Sequence, residues 1–93
     1  MTPEEELQRA ARAESILTDE LFKEAVNEVR EALLNGIRTS PIKDAELREK
    51  LCQQFIQLES VLGQLRSYME SGKLAEATLA QRVREGLKKA ANW

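Results

Sequence analysis

Side chains capable of chemistry are few in this chain of 93 residues, which has no histidine and a single cysteine, Cys52. Without an imidazole there is no Ser–His or Cys–His nucleophile pair and no histidine metal site. Cys52 lacks a second thiol for a disulfide or for zinc, so it reads as a small residue beside a helix seam, with a reactive thiol as the alternative. Glu4-Glu5-Glu6 brings three carboxylates together. They could hold a divalent cation, but the macrodipole accounts for an acidic first helical turn without one. Gly72-Lys73 has the ending of a phosphate-binding loop, yet Leu74 follows it, Ser67 stands at the upstream glycine position and no strand precedes it. The sequence therefore predicts no catalytic residue, no metal, no cofactor and no enzymatic activity.

Charge nearly cancels, 14 Lys and Arg against 16 Asp and Glu for a net of -2, so the whole chain has no electrostatic bias toward nucleic acid or anionic lipid. Its distribution is uneven. Residues 1–20 hold six acids and two arginines, whereas the C-terminal twelve hold Arg82, Arg84, Lys88 and Lys89 against Glu85. These four cations, with Trp93 available to stack, are the candidate nucleic-acid contacts. The competing explanation is that cations near a helix C-terminus complement the dipole and keep the helix hydrated. It is preferred here, because no groove-binding motif accompanies the cations. A third possibility joins the acidic and basic ends head to tail between subunits. No apolar run approaches the ~20 residues that span a bilayer. No secretory n-region or h-region follows Met1, so the expected location is the cytoplasm.

The elements that must position these residues are helical. Aromatic residues make up 4% of the chain and glycines number four, a poor supply for strands and hairpin turns. The prediction is one all-α domain over 1–93, with helices at about 3–17, 19–38, 44–71 and 73–91. Thr2-Pro3-Glu4-Glu5 opens the first with a capping box and Pro at its first position. Thr18-Asp19-Glu20 offers a second N-cap, where the helix breaks or bends. Helix 2 carries Phe22, Val26, Val29 and Leu33 at coiled-coil steps. Pro41 makes residues 38–43 a loop. Helix 3 repeats Leu47, Leu51, Phe55, Leu58, Leu62, Leu65 and Met69 at steps of three and four. Gly72 is placed as a left-handed stop. The last helix has Leu74, Leu79, Val83 and Leu87 as its apolar line and is basic and amphipathic.

A short loop between matching seams predicts an antiparallel hairpin of helices 2 and 3, with Leu33 near Leu51, Val29 near Phe55, Val26 near Leu58 and Phe22 near Leu62. Leu65 and Met69 would then run on to Ile16 and Leu17. Helix 3 has apolar residues on both flanks of its seam, Cys52 and Ile56 on one, Val61 and Tyr68 on the other. One neighbour cannot cover them all, so the last helix or a second chain must. The candidate partner interface is Cys52, Ile56, Val61, Tyr68, Leu79, Val83 and Leu87.

Arg9-Ala10 with Ala13 and Ile16-Leu17, Asp44 with Leu47-Arg48-Glu49, and above all Leu65-Arg66-Ser67-Tyr68-Met69-Glu70-Ser71-Gly72-Lys73-Leu74-Ala75-Glu76 resemble a group of small proteins encoded by tailed bacteriophages and prophages. The resemblance covers most of residues 9–76, and Glu70 to Glu76 is its most specific stretch. Members tend to be encoded near virion-structure and DNA-packaging genes and mostly lack an assigned activity. The resemblance implies a phage origin, a role in particle assembly inside the bacterial host or on the virion, and no catalytic residue to carry over. The expected function is a noncatalytic helical interaction module that self-associates and contacts a virion, packaging or host protein. The alternatives are a DNA-binding packaging accessory and a small regulator of a host enzyme.

Overall fold

A computed structural model describes residues 1–91, which form three α-helices and no strand: α1 (Pro3–Thr18), α2 (Glu20–Thr39) and α3 (Ala45–Ala91). The chain is all-α. Its contacts divide it into two compact units, one made of residues 1–15 with those from Leu65 on, the other of Ile16–Gln64.

Local chemistry sets the helix ends. The Thr2 hydroxyl oxygen accepts from the Glu5 N–H at 3.2 Å, and the Glu5 carboxylate accepts from the Thr2 N–H at 3.3 Å and the Thr2 hydroxyl at 3.0 Å. This reciprocal box satisfies two donors that helix geometry leaves free. One residue, Asp19, separates α1 from α2; its backbone is extended and its carboxylate accepts from the Phe22 N–H at 2.8 Å. After Thr39 the chain turns at Pro41, where the guanidinium of Arg48 donates to the carbonyls of Pro41 and Ile42 at 2.7 and 3.1 Å. Arg48 thus pins the loop, where the i,i+4 rule pairs it with Asp44. The Asp44 carboxylate instead caps α3 by accepting from the Leu47 N–H at 3.0 Å.

The expected helix end at Ser71 and fresh start at Lys73 are corrected: α3 runs unbroken for 47 residues. No glycine has a positive φ, so Gly72 is not the left-handed stop. It lies three residues after Met69, on the face that continues the seam, and Ala75 and Leu79 keep that phase. Gly72 is buried, and a Cβ placed on it would lie 2.2 Å from the Ala10 Cβ. The glycine lets α1 and α3 approach closely. Its helix-interior cost of about 1 kcal/mol is offset by the contact, which buries Ala13 and Ala75 beside it. The basic C-terminal segment is therefore the final stretch of α3, with no boundary before it.

In the first unit Met69 and Gly72 share a shallow groove with Leu7, Ala10, Ala11 and Glu14 of α1. In the second, Phe22, Val26, Leu33 and Ile37 of α2 and Leu51, Phe55 and Leu58 of α3 are partly buried, and Leu62 is buried. Val29 departs from the expected seam. It is 48% exposed, and Arg30 turns toward α3 instead. The side chain of Leu51 packs on Gly36, whose Cβ position is 3.1 Å from Leu51 Cδ1. That is about one helical turn beyond Leu33 along α2.

Candidate interaction surface

Among the described residues no three Cys, Asp or Glu side chains converge as a metal cage, and Cys52 is exposed. What the structure does assemble is uncovered helix surface. Of the candidate interface residues, Ile56, Val61, Val83 and Leu87 are all more than 60% exposed. Leu79 and Tyr68 are partly buried. At 3.6 residues per turn, Cys52 and Ile56 fall on one outer side of α3 and Val61 on the other.

Tyr68 has a partner within its own unit. The Arg9 guanidinium lies over its ring, 4.1 Å from the centroid, a cation–π contact worth about 0.5–1 kcal/mol. Stacking there leaves the Arg9 Nε buried without a hydrogen-bond partner. One face of the phenol ring is thus taken by α1.

The sequence reading missed the strongest polar contact in the second unit. Arg30 Nε and Nη2 donate to the two carboxylate oxygens of Glu59 at 2.6 and 3.1 Å, a paired geometry with both side chains about one-third exposed. The hydrogen bond from Arg30 raises the guanidinium pKa above its usual value, with the Glu59 charge adding to it. The signal was present. Arg30 lies four residues after Val26 and three before Leu33, and Glu59 four after Phe55 and three before Leu62, so both border the seam. This pair marks one flank of α2 and α3. On the opposite flank the helical periodicity places Val29 with Leu21 and Ala25 on α2, and Val61 on α3.

The third feature is the end of α3. Every residue from Ala80 to Ala90 is exposed, so no element within the described residues covers this segment. Leu79, Val83 and Leu87 form an i,i+4,i+8 line. Arg84 and Lys88 lie on one side of that line and Arg82 and Lys89 on the other. The four candidate nucleic-acid contacts therefore flank an apolar stripe and do not form a single cationic face. Trp93, the fifth, lies outside the described residues.

Comparison of the chain with protein-family models, with curated proteins and with solved structures finds no match.

Proposed function

We propose that the chain is a noncatalytic helical interaction module of phage origin that self-associates and binds a virion, packaging or host protein. Its α2 and the first part of α3 form the antiparallel hairpin that presents the surface. One observation carries the reading: among the described residues the only buried apolar side chains are Ala13, Leu62 and Ala75, while Leu21, Ile56, Val61, Leu74, Val83 and Leu87 are all more than 60% exposed. Large apolar side chains left in water along helix faces favour a partner surface. The phage assignment rests on the resemblance over most of residues 9–76, above all residues 65–76. No helix among the described residues is long and apolar enough to cross a membrane.

Linkage between folding and association provides the test. If copies of the chain bind one another, the Tm rises as protein concentration is raised about a hundredfold. A Tm that stays constant over that range contradicts self-association.

A second reading, an accessory protein for packaged DNA, is favoured by the exposure of Arg82, Arg84, Lys88 and Lys89 on an uncovered helix. It predicts duplex binding that weakens steeply with salt, and a slope that flattens in the Arg84→Ala, Lys88→Ala double variant. Salt-insensitive or absent binding removes it.

A further inference from the structure

We infer that residues 79–90 of one copy dock on the α2–α3 flank of a second copy, along Leu21, Ala25, Val29 and Val61. The inference rests on the self-association proposed above and names the two surfaces that make it.

The receiving flank is apolar and open. Leu21 is 72% exposed, Val61 61% and Val29 48%, and Ala25 and Ala32 extend the line on α2 at helical steps. Its rim is acidic on one side. Glu24 and Glu28 border that line at helical steps from Leu21 and Ala25, and with Glu31, Asn27 and Lys23 they share the exposed outer face of α2, where Lys23 is paired with Glu20 at 3.5 Å. On the α3 side of the rim stand the uncharged Gln57 and Gln64.

The docking segment has the complementary layout. Leu79, Val83 and Leu87 supply an apolar stripe, and a pair of cations lies on each side of it, so either direction of approach sets two cations against Glu24 and Glu28. The lengths also agree. Residues 21–32 and 79–90 are each twelve residues, about 18 Å of helix. Two C-terminal segments pairing with each other would instead oppose cations to cations, which disfavours a symmetric contact. The two patches differ, so the contact is heterologous and each copy carries one of each.

Charge reversal and mixing test it. The Glu24→Lys, Glu28→Lys variant and a variant with both cation pairs reversed, Arg82→Glu, Arg84→Glu, Lys88→Glu, Lys89→Glu, are each examined by sedimentation velocity, alone and mixed in equal amounts. Circular dichroism checks that helicity is kept. The expected result is that each variant alone associates about tenfold more weakly or worse, and that the mixture returns to the wild-type association, since each reversed patch then meets an opposite one. Association should also weaken with added salt. Variants that associate as well as wild type overturn the docking site and leave self-association standing through another face. Loss in both variants without recovery on mixing overturns it too. A monomeric wild-type chain removes both this inference and the self-association beneath it. Loss confined to the variant reversed at Arg82, Arg84, Lys88 and Lys89, with duplex DNA bound by the wild type, assigns the cations to nucleic acid and overturns the contact.

Discussion

Adding one methyl group at Gly72 places a carbon 2.2 Å from the Ala10 Cβ, and an alanine Cβ cannot rotate away. Gly72→Ala should destabilise the chain by about 1–3 kcal/mol in urea unfolding, although glycine-to-alanine in a helix is otherwise favourable by about 1 kcal/mol. Gly86, on the same helix, has nothing within 4 Å of its Cβ position. Gly86→Ala should therefore stabilise by about 0.5–1 kcal/mol. Equal signs for the two would remove the close approach of α1. The Glu5 carboxyl gives a pH-dependent counterpart. The Thr2 N–H, and after it the Thr2 hydroxyl, hold its pKa below the usual carboxylate range. A lowered folded-state pKa means that the contribution of the cap is complete above the ordinary carboxylate value and is lost as pH falls through the depressed one. NMR titration of Glu5 should show the low midpoint in the wild type and only a partial return toward the ordinary value in Thr2→Ala, which removes the hydroxyl but keeps the backbone N–H.

At the scale of the element, the continuity of α3 through Gly72 separates two structures that proline tells apart. In a helix beginning at Lys73, Lys73→Pro would occupy the first position and be tolerated. Inside an unbroken α3 it removes a hydrogen bond and clashes with the preceding turn, at about 3 kcal/mol. Thermal unfolding of that variant should show the larger loss. The helix starts at Thr2 and Asp19 were legible in the sequence because caps are local chemistry, as was the seam from Leu51 to Leu62; the sequence reading missed the Asp44 cap, since the leucine repeat alone places the start of that helix. Gly72 misled because glycine serves equally as a left-handed stop and as a gap for a crossing helix, and only Ala10, about sixty residues away in sequence, distinguishes them. Its position in phase with Met69, Ala75 and Leu79 was the available clue. Arg30 was passed over for a similar reason. An apolar residue, Val29, stood beside it at an equally good seam step, and the tie is broken by Glu59 across the gap. Ile56 and Val61 were legible as surplus apolar flanks, whereas Val83 and Leu87 read as the apolar line of a separate last helix that could cover those flanks.

For the molecule as a whole, each compact unit leaves large apolar side chains in water: Leu21, Val29, Ile56 and Val61 in one, Leu74, Val83 and Leu87 in the other. Burying such apolar surface at about 25 cal/mol per Å² is the driving force available for association, less the entropy of bringing chains together. The central claim is that this surface is covered by another copy of the chain. Sedimentation equilibrium at micromolar concentration and moderate salt tests it most directly. The account predicts a mass that exceeds the 10.6 kDa of one chain and grows with concentration. A single species at 10.6 kDa across the whole range would contradict it.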